Sequence, residues 1–264
     1  MKISQTIAKS TVRIECDVAN GVSVGTGFFF GFQIDEKLQV PLLVTNKHVI
    51  KGATSIRMRF NINNSNNPQM KVLELQVKSE SDFIHHPDPN IDICAIALGP
   101  FLTNLLSQGI EVDRFTFTDK NFTDGNFITS AEDVFMTGYP NGLWDMVNNR
   151  PITRKGIAAS SPLEDWQGRP EFMIDMACYG GSSGSPVYIM NEGGFSVDGG
   201  FAVGHRLILL GILYAGPTID VDGSISIVNV PTAANAVVTT KLMMNLGVVI
   251  KAEQLNGLRP LLNI

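Results

Sequence analysis

Short runs rich in valine, isoleucine, phenylalanine and threonine, each closed by turn residues, recur along this chain between residues 11 and 230. In the first half they are residues 11–18, 22–32, 39–45, 54–60, 71–77 and 91–98. After about residue 125 the pattern resumes through 127–128, 133–137, 153–159, 171–176, 185–190, 207–214 and 225–230. β-Branched and aromatic side chains suit a pleated, half-buried surface, and many short, evenly spaced strands build a barrel or sandwich. They do not match the strand and helix alternation of an α/β fold. Two β halves, residues 1–110 and 125–230, are therefore expected, joined around residues 100–125. Residues 231–246 carry alanine, lysine, leucine and methionine between a Pro-Thr start and Gly247, which predicts a C-terminal helix, with residues 247–264 as a tail.

Composition agrees with many tight turns. There are 25 glycines and 13 prolines, and charged residues make up only 17% of the chain, against roughly 25% in an average soluble domain. At 264 residues the chain can bury one substantial core, so a single domain is expected. The net charge of -5 comes without a long basic run, so a phosphate backbone or an anionic membrane surface has little to grip, and neither nucleic acid nor membrane is an expected partner. The N-terminal residues mix Lys2, Gln5, Lys9, Ser10 and Arg13 among the apolar ones and lack the continuous apolar stretch of a secretory signal. The longest apolar run, residues 207–215, is far short of the roughly 20 residues that cross a bilayer. Cys16, Cys94 and Cys178 are widely spaced and form no CxxC pair, which fits neither a disulfide framework nor a zinc site. Reduced thiols in a cytoplasm, and no metal or cofactor, are expected. The asparagine-rich stretch 61–67 reads as a surface loop.

Three segments carry chemistry. In Gly181-Ser182-Ser183-Gly184-Ser185-Pro186, small residues around one serine let the backbone fold tightly enough to aim N–H groups at a developing oxyanion. Taken alone, the same residues read equally well as a turn. Val44-Thr45-Asn46-Lys47-His48-Val49-Ile50 puts a histidine directly after a strand-like run, a rigid mount for a general base. Asn90-Ile91-Asp92-Ile93-Cys94 sets a carboxylate at the head of an apolar strand, half buried and needing a hydrogen-bond partner. By themselves these two read as a structural histidine and a strand-capping aspartate.

In the order His, Asp, Ser, the three segments resemble the catalytic blocks of trypsin-fold serine proteases, most of all bacterial trypsin-like peptidase domains of the HtrA type. Gly25-Thr26-Gly27-Phe28-Phe29-Phe30 resembles the strand that precedes the histidine in that family, and Ile174-Asp175-Met176-Ala177 the strand that leads into its nucleophile loop. The resemblance covers about residues 10–230 and implies two six-stranded antiparallel β-barrels. It implies an endopeptidase in which Ser183 attacks the scissile carbonyl, His48 moves the proton, and Asp92 orients the imidazole. The N–H groups of Gly181 and Ser183 would form the oxyanion hole, and Leu213, Tyr214 and Ala215 would pair with an extended substrate as an added strand. Ala177, six residues before Ser183, would lie at the base of the specificity pocket, with Asp175 two residues earlier on the same strand face. An alanine there predicts an uncharged residue before the scissile bond, with a basic one as the rival if Asp175 reaches the pocket.

Two departures matter. Ser182 stands where members of the family that mature by cleavage carry an aspartate, and no Ile-Val-Gly-Gly-like start is present, so that activation switch is not expected. The cystine that usually flanks the histidine is missing, since Val49 follows His48. No further domain is expected after residue 246, so control would come from loops, oligomerisation or a regulatory partner. Two other functions fit parts of the sequence. Gly180-Gly181-Ser182-Ser183-Gly184 also matches an esterase nucleophile elbow with Ser182 as nucleophile, followed by Asp198 and His205. A protease fold that has lost catalysis would serve as a peptide-binding module. His85 and His86 are adjacent with no third ligand placed by sequence, which reads as a surface loop beside Asp92 rather than a metal site.

Overall fold

A computed structural model describes all residues except 1, 36–37, 64–68, 124, 127, 198, 226–235 and 263–264. In the first half the strands are β1 (Thr11–Val18), β2 (Gly21–Gln33), β3 (Gln39–Thr45), β4 (Ser55–Asn63), β5 (Gln69–Gln76), β6 (Ile84–His85), β7 (Cys94–Ala97), β8 (Glu111–Val112) and β9 (Phe117–Thr118). They form one sheet in the order β5-β4-β1-β2-β3-β7-β6, with β8 on β4 and β9 on β2. Among the described residues this sheet is nine-stranded and curls into a half-barrel left open between its edge strands β5 and β6, which with the closed barrel of the second half makes the expected all-β double-barrel fold. The return path explains the gap, because β6 and β7 are only two and four residues long. The chain between β5 and β7 goes largely into turns around Pro87 and Pro89, and proline offers no N–H to a ladder.

Period-two alternation sets which face each strand buries. On β1, Ile14 and Cys16 are fully buried. Between them the opposite face sends Glu15 to Arg59 at 2.7 Å and Asp17 to Arg57 at 2.7 Å across the β1–β4 pairing. β2 is apolar on both faces. Phe28, Phe30 and Phe32 point into the core shared by the two halves, while Phe29 joins the core inside the half-barrel with Ile14, Ile56 and Phe60. Burial of each such ring contributes roughly 1.5–3 kcal/mol.

The second half contains β10 (Asp133–Gly138), β11 (Ile152–Ala158), β12 (Glu171–Asp175), β13 (Pro186–Asn191), the hairpin β14 (Gly194–Val197) and β15 (Gly200–Val203), β16 (Arg206–Ala215), the hairpin β17 (Thr218–Ile225) and β18 (Ala236–Met243), and β19 (Leu246–Lys251). A closed six-stranded barrel runs β10-β11-β12-β19-β16-β13. The expected strand at 127–128 does not form at Ile128, and Phe127 lies outside the described residues.

The helix expected over 231–246 is corrected. Residues 231–235 lie outside the described residues, 236–243 are strand β18 paired along its whole length with β17, and β19 begins at Leu246. Val237, Val238, Thr239 and Thr240 are β-branched, and cross-strand pairing overrides the helix-forming residues around them. The barrel therefore closes beyond residue 230, with a strand drawn from the expected tail. The C-terminal helical element is a 3-10 segment at Ala252–Leu262. Its Ala252, Leu255 and Leu258 pack with Phe28, Phe30, Tyr188 and Leu209, so one core spans both halves.

Candidate active site

The loops that face each other between the two halves carry His48, Asp92 and Ser183. Strand β3 ends at Thr45, and a single helical turn, Lys47–Ile50, lifts His48 off the sheet. Val49 and Ile50 bury the other side of that turn, leaving the His48 side chain 45% exposed. Asp92 lies just before β7, anchored by buried Ile91 and Ile93 on either side. Fully buried Asn46 donates its amide to the Asp92 main-chain oxygen at 2.7 Å. Lys47 Nζ donates to the carbonyls of His86 and Asp88 at 3.0 Å each, which ties down the turn leading to Asp92.

His48 Nδ1 meets Asp92 Oδ2 at 2.5 Å, and the His48 backbone N–H donates to Oδ1 at 3.1 Å. An ionised carboxylate only accepts, so the proton of this contact sits on Nδ1 and Nε2 is left as the basic nitrogen of the neutral ring. Burial pushes the Asp92 carboxyl up. The hydrogen bond and charge of His48, with the backbone N–H groups of His48 and Lys47, outweigh it and hold the group below the usual aspartate value.

Ser183 lies in the loop between β12 and β13, in a turn pinned from several sides. Its carbonyl accepts from the Thr26 N–H at 2.9 Å, the Gly181 carbonyl accepts from Thr26 Oγ1 at 2.9 Å, and the Gly184 N–H donates to Leu213 at 2.8 Å. Thr45 Oγ1 donates to the Thr26 carbonyl at 2.7 Å, which links the loop to the strand that carries His48. Gly181 and Gly184 have φ of 79° and 85°, a region that favours glycine. A Cβ on Gly181 would lie 2.5 Å from the Tyr139 carbonyl, and one on Gly184 would overlap the Thr26 carbonyl. Neither the Gly181 nor the Ser183 N–H has a partner among the described residues. Unfilled backbone donors of this kind are the groups that an oxyanion hole uses. The Ser183 hydroxyl donates to the Tyr214 carbonyl at 3.4 Å, and among the described residues no hydrogen bond joins it to His48.

The expected substrate strand occupies the end of β16. Its pairing with β19 slips between Leu213 and Ala215, so Tyr214 is a bulge residue whose carbonyl leaves the ladder and meets Ser183. Leu213 is buried, Tyr214 partly buried and Ala215 exposed. Tyr214 Oη donates to Glu171 at 2.9 Å; burial and this carboxylate raise its phenol to about 12. Ala177 is partly buried at the start of the nucleophile loop, and Asp175 is exposed at the end of β12.

The Cys178 side chain lies beside Gly247, where a Cβ would come within 2.7 Å of its sulfur. Burial pushes that thiol up to about 11, so it adds no charge at neutral pH. Sequence reasoning missed Arg154. Its Nη1 donates to the Ala177 carbonyl at 2.5 Å and its Nη2 to Ser182 Oγ at 2.9 Å. Its place on a strand reads as an ordinary alternating charge, and no local pattern marks it.

The esterase alternative is corrected here. The Ser182 hydroxyl is fully buried against Arg154, the loop runs into strand β13 rather than a helix, and His205 Nδ1 accepts from the Gly193 N–H. Asp198 lies outside the described residues. His85 ends strand β6, and buried His86 accepts from the Asp88 N–H through Nδ1 at 3.1 Å, so the pair is not a loose surface loop.

A family model described as a trypsin-like peptidase domain matches residues 25–195, a span that contains all three site residues. Similar solved structures include a thermostable serine protease from an extremophilic microorganism, at 12% identity and a TM-score of 0.50 over 97% of each chain. The serine endoprotease of Yersinia pestis is 14% identical with a TM-score of 0.49, covering 97% of this chain and 63% of that one. An inactivated protease paralogue of the scabies mite is 13% identical with a TM-score of 0.46, covering 100% of this chain and 98% of its own. At 12% identity the likeness to the thermostable protease is one of fold. No curated protein sequence matches the chain.

Proposed function

The chain belongs to the trypsin-like peptidase domain family, and from that membership we propose that it is an active serine endopeptidase with His48, Asp92 and Ser183 as its triad. Ser183 Oγ attacks the scissile carbonyl while His48 Nε2 takes its proton and returns it to the leaving amine. Asp92 holds the ring in the Nδ1-protonated tautomer and stabilises its charged form. The N–H groups of Gly181 and Ser183 receive the oxyanion. The observation that supports this reading is the His48–Asp92 contact at 2.5 Å, because a ring that donates through Nδ1 keeps Nε2 for the proton of Ser183.

The substrate is a protein or peptide that lies along Tyr214 and Ala215 as an added strand, with its preceding side chain directed toward Ala177 and Cys178. Among the described residues the Ala177 carbonyl is met by Arg154, a cation that opposes a basic side chain. Narrow specificity for one partner protein in a reducing, cytoplasmic setting is the accompanying proposal. The alternative, a catalytically silent peptide-binding module, draws support from the Ser183 hydroxyl, which is bonded to Tyr214 and not to His48. A fluorophosphonate probe separates the two. Covalent labelling of wild type at Ser183, absent in Ser183→Ala, supports the enzyme, and no labelling of wild type supports the binding module.

A further inference from the structure

Arg154 stands on β11 with its guanidinium turned toward the nucleophile loop, and all the hydrogen bonds it makes among the described residues go to neutral oxygens. Its Nε is buried without a partner. Burial pulls the guanidinium below the usual arginine value, with Cys178 and Tyr179 acting in the opposite direction. A partly buried cation with no carboxylate partner among the described residues is costly to keep, so its two contacts need an explanation. They fall at the Ala177 carbonyl and at Ser182 Oγ, the two ends of the turn that presents Gly181. Ser182 is the residue between the two unfilled backbone donors, and it is fully buried, with its hydroxyl bonded to Arg154. The planar fork of a guanidinium suits this bridge, since two N–H groups leave it in fixed directions.

We propose that Arg154 is a positioning residue that holds the oxyanion loop in its working shape from within, by bridging the Ala177 carbonyl and the Ser182 hydroxyl. The inference rests on the serine-endopeptidase reading and adds to it the means by which this chain sets its loop. The sequence carries Ser182 in place of the aspartate that would receive a new N-terminal ammonium, and Arg154 supplies a cation to the same loop from within the chain. The loop is thereby formed without a maturation cut.

The test compares wild type with Arg154→Met, Arg154→Lys and Arg154→Ala on one peptide substrate and on the fluorophosphonate probe. Arg154→Met should lower kcat and the labelling rate by about a hundredfold, the cost of misplacing reacting groups by an ångström, with KM nearly unchanged. Arg154→Lys keeps the cation and one donor, so it should recover part of kcat. Free guanidinium ion should restore activity to Arg154→Ala, while sodium chloride at the same concentration should not. An unchanged kcat in Arg154→Met would overturn the proposal. So would a loss confined to substrates with an acidic residue before the scissile bond, which would make Arg154 a substrate contact. If Arg154→Met does not fold, the Arg154→Lys kcat and the guanidinium rescue decide the matter. An inactive wild type would instead count against the endopeptidase reading.

Discussion

The Ser183 hydroxyl and the Tyr214 carbonyl are hydrogen-bonded at 3.4 Å, and among the described residues no hydrogen bond joins that hydroxyl to His48. Attack then requires Ser183 to rotate toward Nε2, a step that substrate drives if its own N–H claims the Tyr214 carbonyl. Catalytic hydrogen bonds are often long or misaligned before substrate binds. Ser183→Ala should abolish probe labelling and peptide hydrolysis. Ser182→Ala should lose no more than about tenfold in either, because it removes one buried acceptor and not the nucleophile. Labelling that survives in Ser183→Ala and is lost in Ser182→Ala would reverse the assignment.

Asp92→Asn should fold and lose on the order of 10⁴ in kcat, because an amide favours the wrong imidazole tautomer. It should also change the acid limb of stability. The native carboxyl lies below its ordinary value, so the stabilisation it contributes is fully present above the unfolded value of about 3.9 and is lost as pH falls through the lower native one. Thermal melts across the acid range should therefore fall less steeply for Asp92→Asn than for wild type. Parallel curves would refute the linkage.

Gly181→Ala should cut kcat by on the order of 10²–10³, the usual cost of losing one oxyanion donor. The added methyl meets the Tyr139 carbonyl at 2.5 Å, and the backbone there sits at φ 79°. Probe labelling should slow in step with hydrolysis. A variant with wild-type rates would remove Gly181 from the oxyanion hole.

Peptide libraries should show cleavage after aliphatic or other uncharged residues. Such a side chain gains roughly 1.5–3 kcal/mol on burial, while a lysine or arginine head at Ala177 would meet the Arg154 guanidinium bonded to the Ala177 carbonyl. Dominant cleavage after arginine or lysine, lost in Asp175→Ala, would show that Asp175 reaches the pocket despite its exposure at the end of β12.

Local pattern carried much of the architecture. β1 and β3 run over the residues that period-two burial and turn placement predict, and β10, β11 and β12 differ by a residue or two. Strand β19 was not legible, because Leu246–Lys251 follows helix-forming residues and is selected by pairing with β12 and β16, which lie far away in the chain. The same distance hid Arg154. A charged residue on a strand looks like any solvent-facing one until the loop 23 to 28 residues later folds back onto it. His48, Asp92 and Ser183 stood out only together, through their order and the resemblance of their three segments to one family, whereas their surroundings depend on Asn46, Thr26 and Tyr214, which look unremarkable in sequence.

Thr26 bonds to both Gly181 and Ser183, across 155 residues in the case of Gly181. A ribosome delivers the N-terminal part first, at about 5–20 residues per second. For many seconds the growing chain holds the histidine and aspartate with no serine to act through. The serine, once delivered, takes its shape only against a strand that has already folded. Neither half can assemble the three-residue site while the other is unmade, so the site exists only after residues on both sides of the chain have met.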